Sequence, residues 1–181
     1  MFTIVPAQAG DITNLNKLIE ASVKKLSVNY YTVAQIDSAL KYVFGVDTQL
    51  IHDGTYYLVM SGNDIAGCGG WSKRDTLYGG DQAKAQEDPL LDPAIHPARI
   101  RAFFVHPDWA RKGVGSELLN YCSDAAKRSG FTTLQLAATL PGVPFYTKLG
   151  FEPVEDSEAM LPDGEILKLC IMKKQIDQAA L

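Results

Sequence analysis

The stretch HPDWARKGVGSELL, residues 106–119, sets two adjacent cations, Arg111 and Lys112, and two nearby glycines, Gly113 and Gly115, directly before an apolar run with helical spacing. Where a strand ends and a helix starts within a few residues, the first helical turn carries backbone N–H groups without an internal acceptor. The helix dipole adds about half a positive charge at that end, and a glycine lets an oxygen of an anion approach the backbone with no Cβ in the way. The chemistry of such a corner is the capture of a phosphorylated ligand. Two familiar phosphate corners do not match: there is no GxxxxGK[ST], and GVGSEL lacks the third glycine and the early position of a dinucleotide fingerprint. ATP and NAD are therefore not the expected ligands.

The elements that must hold this corner follow from periodicity. Phe2 to Pro6 reads as a strand, and Asp11 as the cap of a helix in which Ile12, Leu15, Leu18, Ile19, Val23 and Leu26 recur at helical spacing. Thr32 with Gln35 forms a capping-box pattern for a second helix, whose stripe of Val33, Ile36, Leu40, Val43 and Phe44 stops at Gly45. Thr55 to Met60 and Asp64 to Trp71 read as strands joined by a hairpin across Ser61-Gly62-Asn63. The second of them, IAGCGGW, is poor in side chains, which marks a bulge or a close approach of another backbone or a ligand.

From Ser72 to Ala98 the chain makes a long polar excursion containing Gly79-Gly80, Pro89, Pro93 and Pro97, a length uncommon in a loop without a role. Ile100 to Val105 returns to a strand, and after the glycine corner Leu118, Leu119, Cys122, Ala125 and Ala126 give a helix closed by Gly130. Thr132 to Ala138 is a further strand, Pro144 to Leu149 a short helix, and Ile166 to Met172 a final strand. The order βααββ, then βαβαββ, predicts an α/β fold with a central mixed sheet flanked by helices. With 181 residues the chain suits one domain, 1–181, with a core over about residues 2–173 and a polar tail over 174–181.

Composition narrows the function classes. A net charge of −4 argues against nucleic acid as the main partner. No apolar run approaches a membrane span, and MFTIVPAQAGD lacks a basic segment followed by a long apolar one, so no membrane partner is expected and the expected address is cytoplasmic. Cys68, Cys122 and Cys170 are an odd number with no CxxC spacing and read as reduced core thiols. His52 and His96 have no spacing that suits a metal, and no metal is expected.

The stretch IRAFFVHPDWARKGVGSELL, followed by PFYTKLGFEPV, resembles the GCN5-related N-acetyltransferase (GNAT) family, over Phe2 to about Lys173. The resemblance implies that family's acyltransferase fold, with acetyl-coenzyme A as co-substrate. The family loop Q/R-x-x-G-x-G/A wraps the pyrophosphate, and the strand before it pairs with the pantetheine arm. Carried onto this chain, Arg111, Lys112, Gly113, Val114, Gly115 and Ser116 would form the pyrophosphate loop. Phe103, Phe104 and Val105 would offer backbone groups to the pantetheine and the thioester carbonyl. Tyr146 falls where the family has a phenol near the coenzyme sulfur, the candidate general acid. Two positions depart from the pattern: Ala110 stands where the family has Gln or Arg, with Arg111 one place later, and Pro141-Gly142-Val143-Pro144 lacks an asparagine often found there.

Acetyl transfer to an amine needs a neutral nucleophile, a stabilised oxyanion and a proton for the departing thiolate. The same resemblance implies that a backbone N–H of the Phe103 to Val105 strand would meet the oxyanion. Ile100-Arg101-Ala102 carries an arginine where the family often has a glutamate base, leaving His106, Asp81, Glu87 and Asp88 as candidates. The excursion carries five carboxylates, Asp75, Asp81, Glu87, Asp88 and Asp92, which would favour a cationic amine if it folds over the acceptor, or would belong to a solvated surface loop. Tyr78 and Trp71 would line an acceptor pocket or pack the loop down. The expected activity is acetyl transfer from acetyl-coenzyme A to a primary amine of a small molecule by direct attack. Acetylation of a protein or peptide, and a coenzyme A-binding sensor without turnover, remain alternatives, and a homodimer stays open.

Overall fold

The computed structural model describes residues 1–84 and 88–176. Seven strands form one mixed sheet: β1 (Thr3–Pro6), β2 (Tyr56–Ser61), β3 (Asp64–Ser72), β4 (Ala98–Val105), β5 (Thr133–Thr139), β6 (Glu152–Met160) and β7 (Ile166–Gln175), in the order β1-β2-β3-β4-β5-β7-β6. Helices α1 (Ile12–Leu26) and α2 (Val33–Tyr42) cover one face, a short α3 (Thr48–His52) leads into β2, and α4 (Val114–Arg128) and α5 (Val143–Lys148) follow β4 and β5.

Alternation along each strand divides the core into two layers. On β2, Tyr56 and Leu58 join Leu15, Ile19, Ile36 and Leu50 under α1 and α2. Tyr57 and Val59 join Leu118, Leu119, Phe131 and Leu134 under α4. All three cysteines are free thiols and buried. Among the described residues no helix is long and apolar enough to cross a membrane.

The expected elements are present with some corrections. Thr32 and Gln35 form the capping box at the start of α2. Asp11 does not cap α1: its backbone is already helical, in a 3₁₀ turn that precedes the helix, and its carboxylate accepts from the Gln8 N–H at 2.8 Å. Helix α2 ends at Tyr42, and the turn that follows gives way to α3, which was not anticipated. Strand β7 continues to Gln175, and Ile176 beyond it is buried, so the first residues of the expected tail complete the sheet and the core.

Two irregularities shape the centre of the sheet. Between β3 and β4 the register shifts across Cys68 and Gly70, and the extra residue on β4 is Ala102, held at φ 53°. Arg99 and Arg101 lie on the α1/α2 side, and the bulge brings Ala102 to that same side before alternation resumes at Phe103. The glycines of β3 make room for this: a Cβ on Gly69 would stand 2.9 Å from Phe103 Cγ, and one on Gly67 2.7 Å from Val114 Cγ1. The second irregularity is that β4 and β5 pair in parallel only at Ala98↔Leu134 and Arg99↔Gln135. Beyond that point the two strands part, and the edge of β4 from Ile100 to Val105 has no ladder partner on its β5 side among the described residues.

Candidate active site

The parting of β4 and β5 opens onto the glycine corner. At the closed end Arg99 donates to the Gln135 side chain and pairs with Asp75 at 2.9 Å. On the far side of the gap, Tyr31 from the α1–α2 connection accepts from the Leu140 N–H at 2.8 Å and donates to the Lys168 carbonyl at 2.6 Å. Burial pushes its phenol up to about 12, so it remains a neutral donor and fixes the segment leaving β5.

The sequence-derived candidates differ in what they present. Gly113 caps α4 at φ 90°, and a Cβ built on it meets nothing within 4 Å. The first helical bond runs from the Glu117 N–H to the Gly113 carbonyl at 3.0 Å, with no side-chain cap, so Val114, Gly115 and Ser116 point their N–H groups out of the helix end. The Val114 side chain is buried in the core, leaving only its backbone for a ligand. Gly115 serves packing as well: its Cβ would stand 2.9 Å from Phe145 Cζ, so the glycine lets α5 close onto α4. Arg111 is exposed in a left-handed conformation at φ 62°, and the Lys112 ammonium lies 4.9 Å from the Trp109 ring centroid.

Phe103, Phe104 and Val105 are half-buried along the open edge of β4. Tyr146, in α5, is packed between the rings of Phe145 and Phe151 at 4.9 and 5.5 Å. Its hydroxyl bonds to none of the described residues, and burial holds its pKa well above the usual tyrosine range, with a smaller contribution from nearby Cys122. The hydroxyl is therefore held neutral.

The candidate bases are engaged elsewhere. His106 accepts from the Asp108 N–H at 3.3 Å, as a turn residue. Asp81 accepts from the Thr48 N–H at 2.9 Å, and Asp88 from the Thr76 N–H at 2.8 Å. Glu87 lies outside the described residues. Asp81 and Asp75 tie the long connection to α3 and β4, whereas Asp88 braces it internally. Trp71 is buried against Phe131, while Tyr78 remains at the surface.

Sequence reasoning missed a buried ion network under this connection. Arg101, 2% exposed, donates to the Asp47 carboxylate at 2.9 Å and to the carbonyls of Thr76 and Gly79 at 2.9 and 2.6 Å. The other Asp47 oxygen takes Lys84 at 2.6 Å and the Gln49 N–H at the start of α3 at 3.0 Å. The one available signal was an arginine inside the apolar run IRAFFV.

A second anchor, Arg74, holds Asp53 through both carboxylate oxygens at 2.6 and 3.0 Å, and these hydrogen bonds depress the Asp53 pKa. Stability from that pair is complete above the unfolded carboxylate value of about 3.9 and is lost as pH falls through the lower folded value. Melting curves from pH 6 to pH 2 are expected to fall less steeply for Asp53→Asn than for the parent. Parallel curves would mean that this pair carries no acid sensitivity.

On the α1/α2 side a cavity of about 660 Å³ is bounded by Ile19, Leu40, Phe44, Asp37, Asp81 and Gln82, among others. Phe44 meets Phe104 of β4 edge to face at 5.9 Å, which brings the cavity wall to the parted strand. Among the described residues no group of three or more His, Cys, Asp or Glu side chains is arranged to hold a metal.

A mixed sheet split at its centre, with a helix end facing the split, defines an acyltransferase-like fold. The chain belongs to the acetyltransferase (GNAT) family, whose model matches residues 21–151. The fold is shared with the crystal structure of a GCN5-related N-acetyltransferase from Rhodopseudomonas palustris (18% identity, 96% of this chain and 94% of that one covered, TM-score 0.71). It is shared too with the PaiA N-acetyltransferase of Thermoplasma acidophilum in complex with coenzyme A (16%, 97% and 99%, TM-score 0.65). The ribosomal-protein-S18-alanine N-acetyltransferase of Escherichia coli has the same fold (16%, 99% and 97%, TM-score 0.61). No curated protein matches the chain.

Proposed function

We propose that this chain is an acetyl-coenzyme A-dependent N-acetyltransferase that acetylates a primary amine of a small molecule by direct attack. The observation that carries the reading is the continuity of the open β4 edge with the unpaired N–H groups of α4. One ligand with an amide-bearing arm and a pyrophosphate matches both. The residues fit such a ligand: Gly113 leaves the space that a Cβ would occupy, and the first turn of α4 supplies donors in front of it. A structural neighbour solved with coenzyme A is consistent with this.

Bound acetyl-coenzyme A would supply an activated acyl carbon and a thiolate leaving group. The backbone N–H groups of Gly113 to Ser116 would hold the pyrophosphate, with Arg111 and Lys112 adding charge at the rim. The edge of Phe103, Phe104 and Val105 would pair with the pantetheine, and a backbone N–H there would meet the developing oxyanion. The Tyr146 hydroxyl would donate toward the sulfur. Direct attack is favoured over an acetyl-enzyme because the cysteines are poor nucleophiles: burial pushes Cys68 up to about 12 and raises Cys122 and Cys170 as well.

The cavity beside Phe44 favours a small acceptor, its volume lying in the range of about 300–1,000 Å³ usual for small-molecule sites. Glu20, Asp37 and Asp81 on its wall outnumber Lys24 and Lys41, a small negative excess that suits a cation. The test is release of free coenzyme A across polyamines, aminoglycosides, amino acids and short peptides, with Tyr146→Phe run alongside. Turnover is expected with a small amine. Tyr146→Phe is expected to bind acetyl-coenzyme A as the parent does while kcat falls about 10²-fold or more. Turnover with peptides alone would select the protein-acetylating alternative, and binding without turnover the sensor.

A further inference from the structure

Tyr56 is wholly buried, yet its hydroxyl reaches across the sheet to a backbone atom of β4. It donates to the Ala102 carbonyl at 3.0 Å and lies 3.3 Å from Cys68 Sγ. Two features make this reach possible. Tyr56 pairs with Gly70 on β3, where any side chain would collide: a Cβ there would run into the Thr55 carbonyl oxygen and stand 3.0 Å from Tyr56 Cδ2. The bulge then turns the Ala102 carbonyl toward the tyrosine, in a left-handed conformation (φ 53°) that an alanine does not adopt without a compensating interaction.

A trans peptide is planar, so its C=O and N–H point in opposite directions. Tyr56 draws the Ala102 oxygen toward the β2 and β3 side, and the Phe103 N–H of the same peptide is thereby aimed at the β5 side, where the strands have parted. The ladder gives the same answer independently. His106 N–H donates to the Ala66 carbonyl at 2.9 Å, and hydrogen-bonded pairs recur every second residue, so Phe104 opposite Cys68 faces β3. Phe103 and Val105 then present their N–H groups to the gap.

We propose that Tyr56 is a positioning residue, whose hydroxyl locks the Ala102–Phe103 peptide so that the Phe103 N–H points into the gap as the donor to the thioester carbonyl. The proposal rests on the acetyl-coenzyme A reading above. Without the hydroxyl the peptide is free to turn over, which withdraws the donor and brings a carbonyl oxygen toward the site where negative charge develops.

The test uses the full chain with acetyl-coenzyme A labelled with ¹³C at the acetyl carbonyl. Isotope-edited infrared difference spectra report the carbonyl stretch of the bound thioester, and no acceptor is needed. The variants are Tyr56→Phe and, as a control, Tyr57→Phe, the neighbouring buried tyrosine on the opposite face of β2. The bound carbonyl is expected to shift to lower frequency in the parent and in Tyr57→Phe, and to return toward its solution value in Tyr56→Phe at unchanged affinity. Once an acceptor is known, Tyr56→Phe should lower kcat about 10- to 100-fold with little change in KM for acetyl-coenzyme A, less than the loss of an oxyanion donor outright.

An equal shift in the parent and Tyr56→Phe overturns the role of Tyr56 and leaves the cofactor reading intact. Equal loss in both variants overturns it in favour of general loosening. Failure of the parent to bind acetyl-coenzyme A overturns the cofactor reading and this proposal with it. Should Tyr56→Phe not fold, the Phe103 amide resonance of the parent carries the test. It must move on binding acetyl-coenzyme A and not coenzyme A, and an unmoved resonance overturns the proposal.

Discussion

Replacing Gly113 by glutamate is expected to raise the dissociation constant for acetyl-coenzyme A by at least about 100-fold, with the fold retained. The position faces open space, and a Cβ there meets no neighbour within 4 Å. Its effect falls on the ligand: a carboxylate would stand in front of the N–H groups of Val114, Gly115 and Ser116, where it competes with the pyrophosphate for the same donors and repels it. The backbone cost is separate and smaller. Gly113 is held at φ 90°, and a non-glycine residue there loses about 1–2 kcal/mol, a few degrees in melting temperature for a chain of this length. Gly113→Gln separates the two effects, since glutamine bears the same left-handed backbone cost as glutamate and carries no charge. It should melt near Gly113→Glu and bind much more tightly. Isothermal titration of the three proteins measures this, and equal affinity of parent and Gly113→Glu would remove the corner from the ligand site.

The second large effect is on stability. Arg101→Met should destabilise the protein by about 3–5 kcal/mol, because it leaves a buried carboxylate with only part of its compensation. Asp47 is fully buried and would retain Lys84 and the Gln49 N–H, while the Thr76 and Gly79 carbonyls would lose their donor. With about 2–4 °C per kcal/mol for a chain of this size, the melting temperature should fall by roughly 10 °C. Adding Asp47→Asn to Arg101→Met should recover part of the loss, since the stranded charge is then gone. A fall of only a degree or two in the single variant would show that the long connection between β3 and β4 is held by its other anchors, Arg74 and Arg99.

What the sequence made legible depended on how local each feature is. The β2–β3 hairpin, α4 and the glycine corner are each specified within a few residues by periodicity and turn chemistry. Strand β6 was harder to delimit because EPVEDSEAM lies at the edge of the sheet and is exposed along most of its length, so it lacks the apolar alternation that marks a half-buried strand. The Arg101–Asp47 pair joins residues 54 apart, a separation across which pattern carries no information. The poverty of side chains in IAGCGGW announced a close approach. What approaches, the Tyr56 and Phe103 rings and Val114, required the register of three strands. The glycine corner and the aromatic segment were legible as motifs, while the engagement of His106, Asp81 and Asp88 in turns and tethers emerged only from the folded chain.

The parting of β4 and β5 also has a mechanical side. A sheet transmits force from strand to strand through its ladder, and here the ladder narrows to two residue pairs at midpoint, reinforced by Arg99 and Gln135 at one end. The N-terminal strands β1 to β4 and the C-terminal strands β5 to β7 are thus two stiff plates sharing a short seam, with α4 spanning them as a covalent strut. A molecule that hydrogen-bonds along the open edge would act as a splint across that short seam.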